Sequence, residues 1–327
     1  MPAALPVSAV CLVCIRRRRV RTGDTHGGSS HPDGVAGSES TPLLLFWKET
    51  DFSTGTLGSP YKTSTPAGGI GDYADAPYNT EADYPADNSR VVVMGLCPSA
   101  MTTADSHTTY SLPSRAGLTD VLVTPNGVTG SRKQPFGRAL EFAHAAVRIV
   151  LKARRTDNTV GKLYVKNLKL TVPARLVCGG VKWDTGTKQY LAAPAAADLV
   201  INHSGQILST EDTQVAVFYL TPCSPADLLT DLTGTGGTPG LTLTADVAKD
   251  INFTTGARNA SFPILDGNLN FMDQFGSPAT QLKGGESYET TLEFDIDSFT
   301  LEGEEKEWED GGKMTVPVVV PEPTPGP

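Results

Sequence analysis

From Leu43 onward the chain alternates short apolar runs with turn-forming clusters. The runs fall at 43–47, 91–96, 120–123, 139–151, 162–172, 189–191, 199–202, 214–220, 241–246, 288–295 and 314–320. Most place apolar residues at every second position or in one short unbroken stretch, the pattern of half-buried and fully buried β-strands. PNG at 125–127, DTG at 184–186, DG at 266–267 and KGGES at 283–287 separate them as turns. No helix longer than about two turns is predicted. The best short candidate is 224–232, with Ser224 as cap and Pro225 at the first helical position. The pattern predicts an all-β protein, for which sandwiches are the usual solution. No fixed-period repeat accompanies it.

The strand over 139–151 contains a change of face. Leu140, Phe142 and His144 share one parity, whereas Ala145, Val147, Ile149 and Leu151 share the other. A β-bulge does this, and so does a strand that leaves one sheet for another. His144 sits at the switch, where an imidazole can bond backbone groups left unpaired by the irregularity. No Asp, Cys or second His is adjacent in sequence, so the residue is read as structural.

Length and charge narrow the picture. A chain of 327 residues is enough for about two domains, and 39% hydrophobic content supports packed cores. Of 27 basic side chains, five (Arg16, Arg17, Arg18, Arg19 and Arg21) lie in the first 21 residues; the other 22 accompany 36 acids, a net of −14. An acidic body repels phosphate backbones and anionic lipid surfaces, which argues against nucleic acid as a partner. Residues 22–41 are rich in Gly, Ser, His and Asp and read as a linker.

The cysteines are Cys11, Cys14, Cys97, Cys178 and Cys223. One C-x-x-C without a second pair lacks the ligands of a closed zinc site, and the last three read as small buried apolar residues of unassigned pairing. Residues 2–15 form an apolar stretch with its arginines behind it, the reverse of a secretory signal. It is either a signal and lipidation segment, with Cys11 or Cys14 as the lipidated residue, or a stretch without a role. Val10 and Val13 stand where a small residue normally precedes a lipidated cysteine.

Catalytic and metal motifs are missing. There is no G-x-S-x-G, H-E-x-x-H, P-loop or dinucleotide fingerprint, and the H-G and V-A-G of 25–37 lack a nucleophile motif downstream. The acidic run 302–310 lacks calcium-loop spacing, and Asp295 with Asp297 has no nameable partner. The expectation is a non-enzyme without cofactor or metal.

Several segments together resemble a known family. LEFAHAAVRIVL at 140–151, followed by KLYVKNLKLTV at 162–172, resembles the F-x-H-A-x-(A/S)-K-x-x-(V/F) strand and the asparagine-bearing strand of the fimbrillin-like family of Bacteroides-type bacteria. GGESYETTLEFD at 284–295 and EWEDGG at 307–312 resemble its later strand and its closing W-x-x-G; VVVMGLCPS at 91–99 sits where it has an apolar strand ending in Y-x-P. Arg148 stands where lysine is usual, and Leu96–Cys97 where aromatics are usual.

The resemblance implies two transthyretin-like Greek-key β-sandwich domains in tandem and a surface, outer-membrane-associated fimbrial subunit. Such a subunit begins as a lipoprotein and is trimmed after an arginine. The vacated groove then accepts a strand from the next subunit by β-augmentation. Here the cleavage candidates are Arg19 and Arg21. The donor-strand candidates are Met314, Val316, Val318 and Val320, with Pro317 needing a non-bonding position. The expected organisation is a leader and linker over 1–41, sandwiches over 42–208 and 209–312 divided near the 203–213 turn, and a tail over 313–327. The expected partners are other fimbrial subunits and a host or bacterial surface ligand. A second reading is a monomeric or tip adhesin that binds glycan or protein through loops 53–88 and 233–240, using Tyr61, Tyr73, Tyr78 and Tyr84.

Overall fold

The computed structural model describes residues 15–17, 41–53, 57–65, 84–105, 107–134, 136, 140–155, 164–207, 210–229, 240–248, 250–254, 258–263, 271 and 277–294. They are all-β, with one five-residue helix, α1 (Glu49–Ser53), and form two compact units.

The first unit is Met1–Ala146 with Cys178–Ala193. Its larger sheet contains β1 (Ile15–Arg17), β2 (Leu43–Lys48), β3 (Lys62–Ser64), β4 (Val91–Cys97), β7 (Leu122–Val123), β8 (Val128–Gly130) and β9 (Leu140–His144). Their order is β1-β9-β7-β4-β2-β3, with β8 also on β4. The PNG turn lies between β7 and β8, which pair with opposite halves of β4. The second sheet has the order β13-β12-β6-β5, from β5 (Thr102–Asp105), β6 (Thr109–Ser111), β12 (Cys178–Asp184) and β13 (Gln189–Pro194).

Every residue of β4 is buried, as its unbroken VVVMGLC run predicts. Trp47 of β2 meets Tyr190 of β13 at 6.5 Å, and Tyr190 meets Trp183 edge-on at 5.2 Å, so this face packs on the second sheet. The opposite face carries a cluster of Leu44, Phe46, Val91, Val93, Leu140 and Phe142, covered by Tyr84 and Phe136. Gly95 is required there. A Cβ on it would stand 2.3 Å from Cζ of the buried Phe142 ring.

The second unit is Val147–Val177 with Pro194–Pro327. One sheet has the order β15-β10-β18, from β10 (Val147–Arg155), β15 (Thr213–Leu220) and β18 (Ser287–Phe294); β18 lies parallel to β10. The other has the order β14-β11-β16-β17, from β11 (Tyr164–Val172), β14 (Leu199–Ile207), β16 (Thr242–Ala248) and β17 (Arg258–Pro263). Ile149, Leu151, Phe218, Tyr288 and Leu292 on one sheet, and Leu168, Leu170, Leu243 and Val247 on the other, are the buried alternate positions. The short helix expected at 224–232 is a 3₁₀ turn, Pro225–Leu228, whose Asp227 carboxylate accepts the Ser224 N–H at 2.8 Å.

Residues 15–17, within the expected leader and linker over 1–41, form β1. Two expectations are corrected. The strand predicted over 139–151 is two strands, β9 in the first unit and β10 in the second, parted at Ala145–Ala146. This is the sheet-changing alternative for the face switch. The units also do not divide near 208, because β10 and β11 already belong to the second unit and the β12–β13 hairpin returns to the first. A boundary sought in one loop misses a chain that crosses three times.

Candidate functional site

The amino-terminal strand occupies an edge of the larger sheet. β1 runs parallel to β9, with Ile15 opposite Leu140, Arg16 opposite Glu141 and Arg17 opposite Phe142. Parallel neighbours need a long connection, and residues 18–139 lie between these two strands. A three-residue strand at a sheet edge has few bonds to lose, so it belongs to the easily opened part of a fold. Beneath it, the β9 side chains Leu140 and Phe142 are fully buried in the core. On its other side β9 meets β7 through Leu122↔His144 and Val123↔Ala143.

His144 is not alone. Its Nδ1 lies 2.6 Å from Oδ2 of Asp120, and each side chain is 23% exposed. The imidazole N–H donates to the carboxylate, a charge-assisted bond. The other carboxylate oxygen, Oδ1, is buried without a hydrogen-bond partner among the described residues. Asp120 is the residue that sequence reasoning missed. It lies 24 positions upstream, at no motif spacing, and only the β7–β9 pairing brings it to His144.

An Asp–His pair prompts the question of a nucleophile. Asp120 is near enough to Cys178 to act on its charge, yet that thiol is pushed up to about 12, chiefly by burial, and points at the Gly180 carbonyl 3.6 Å away. Burial pushes the Cys223 thiol up to about 12 as well. A thiol with that pKa is thiolate in about one molecule in ten thousand at pH 8. Cys178 and Cys223 are buried free thiols, and Cys97 is buried as well. Iodoacetamide at pH 8 is therefore expected to leave all three unlabelled in the native protein and to label them after urea. Native labelling of Cys178, read by peptide mass, would reopen the case for chemistry there. Among the described residues no three His, Cys, Asp or Glu side chains converge as metal ligands.

Of the loop tyrosines, Tyr84 is 5% exposed and its hydroxyl oxygen accepts the Phe136 N–H at 2.9 Å, so it packs down and does not face a ligand. Tyr61 is 38% exposed, edge-on to Phe46. Tyr73, Tyr78, Cys11, Cys14, Arg19, Arg21, Met314, Val316, Val318, Val320 and the acidic run lie outside the described residues.

No protein-family model matches the chain, and no curated protein matches it in sequence. Among solved structures it is similar to a protein of Parabacteroides distasonis provisionally named for cell adhesion, with a TM-score of 0.47, 11% identity and 90% of each chain covered. A Bacteroides uniformis protein with the same provisional name gives 0.44 and 12%, covering 88% of this chain and 94% of that one. A fimbrial protein from Bacteroides vulgatus gives 0.37 and 11%, covering 79% and 88%. These three similar solved structures carry fimbrial or provisional cell adhesion names and come from Bacteroides and Parabacteroides.

Proposed function

We propose that this protein is a non-enzymatic cell-surface fimbrial subunit that polymerises by strand exchange once its amino-terminal segment has been removed. The observation that carries the reading is β1. A three-residue strand covers a sheet edge lined by buried Leu140 and Phe142, and the arginines of 16–21 begin inside it and run on past it. Cutting after Arg19 or Arg21 separates β1 from the body of the chain. The freed edge then offers main-chain donors and acceptors to another strand, and an unpaired edge is a template for one. Head-to-tail filling of this kind builds open filaments. The adhesion role is the one named for the similar solved structures. Anchoring through Cys11 or Cys14 before trimming completes the proposal.

The test compares residues 1–327 with 22–327 on unboiled gels and by electron microscopy. The full chain is expected to run as a monomer and the trimmed chain as a ladder of filaments. A trimmed chain that stays monomeric at high concentration overturns the reading.

A further inference from the structure

The geometry points to the Asp120–His144 pair as a clamp that keeps β9 in place as an acceptor edge after β1 has left, an inference that rests on the strand-exchange reading. The partners of β9 are divided. Leu140, Glu141 and Phe142 pair with β1, whereas Ala143 and His144 pair with β7, and no residue of β9 is paired on both sides among the described residues. When β1 departs, the three residues that should receive a new strand have no ladder partner of their own. They are held by the two β7 pairs, by the burial of Leu140 and Phe142, and by whatever fixes the far end of the strand.

That end is fixed twice. The Ala145 N–H donates to the Val121 carbonyl at 2.8 Å, and His144 bonds Asp120 at 2.6 Å. Both ties join the segment just before β7 to the end of β9, so together they extend a two-pair ladder. The choice of a carboxylate has a cost, because Oδ1 of Asp120 is buried without a partner among the described residues. An apolar pair would pack the same spot without that penalty. A directional bond is what the apolar pair cannot supply, and buried polar groups are retained in some proteins for such positional specificity. In the intact chain β1 makes the clamp redundant. In the trimmed chain the clamp stops the edge from fraying before a strand arrives.

The experiment measures hydrogen exchange at 140–144 in the full chain and in the freshly trimmed monomer, for the native sequence, Asp120→Ala, Asp120→Asn and His144→Gln. Asp120→Ala is expected to leave exchange in the full chain nearly unchanged. In the trimmed chain it should accelerate exchange by roughly tenfold to hundredfold, the equivalent of one hydrogen bond to a charged group. Asp120→Asn, which keeps an acceptor oxygen for the imidazole N–H, should restore most of the protection. His144→Gln reports on the other partner should Asp120→Ala fold poorly. Equal acceleration in both forms of the chain, or none in the trimmed form, overturns the clamp. Ladder formation is read separately on the native sequence. A trimmed chain with the pair intact that fails to assemble sinks the exchange reading, while the exchange rates still decide the clamp.

Discussion

Gly180→Ala is expected to lower the stability of the first unit by about 3 kcal/mol or more, the sum of overpacking and backbone strain. Gly180 has φ of +150°, a conformation that glycine adopts freely and other residues resist. A Cβ there would stand 2.0 Å from the Tyr110 carbonyl oxygen and 2.9 Å from the Ser111 Cα, both backbone atoms of β6. Neither can step aside without breaking the ladder in which Gly180 faces Ser111 and Val181 faces Tyr110. Tyr110 also packs edge-on to Tyr190 at 5.9 Å, so a shift of β6 reaches the aromatic contacts between the sheets. Urea unfolding followed by tryptophan fluorescence reads the loss, since Trp47 and Trp183 both lie in this unit. Gly58→Ala is the matched control, because an added methyl there meets nothing within 4 Å. Equal midpoints for the two variants would refute the packing argument.

Deleting 314–327 from the trimmed chain is expected to abolish assembly outright. Met314, Val316, Val318 and Val320 alternate with Thr315, Pro317 and Val319, so one parity of this segment is apolar at every position, as a strand added at a sheet edge requires. In the proposed exchange, a subunit without its tail would still offer an acceptor edge but would have nothing to give the next one. Mixed at a few per cent into intact trimmed subunits, it should end growing filaments and shorten the ladder in proportion to its share. Full-length ladders from the tailless protein alone would show that another segment is the donor.

Much of this fold is legible from residue pattern, and what is hidden has identifiable causes. β4 is plain because VVVMGLC is apolar throughout, and β11 because Val165, Leu168, Leu170 and Val172 outline a buried face. β12 is obscured by its opening Cys-Gly-Gly, where the demand for glycine comes from Tyr110, about 70 residues away in the chain. β17, Arg-Asn-Ala-Ser-Phe-Pro, has only Ala260 and Phe262 in apolar alternation, too short a pattern to stand out, and pairs along its neighbour β16. β1 is three residues of no particular pattern, made a strand only by the edge it lies on. The site divides in the same way. The face switch at His144 is visible in the parity of its strand. Asp120 is not visible, since side chains that meet across a sheet obey the ladder and no spacing along the chain.

The parallel pairing of β10 with β18 has a mechanical consequence. Eight register pairs, from Arg148↔Ser287 to Arg155↔Phe294, join the two strands side by side. If the proposed filament is held by its tails, tension would enter β18 at its carboxyl end and β10 at its amino end. Two parallel strands pulled from opposite ends are loaded in shear, so the bonds along the ladder share the force and must fail nearly together. An antiparallel pair pulled through adjacent ends would open one bond at a time. Under the proposed strand exchange, a pull along the filament would therefore meet its resistance in this strand pair inside each subunit.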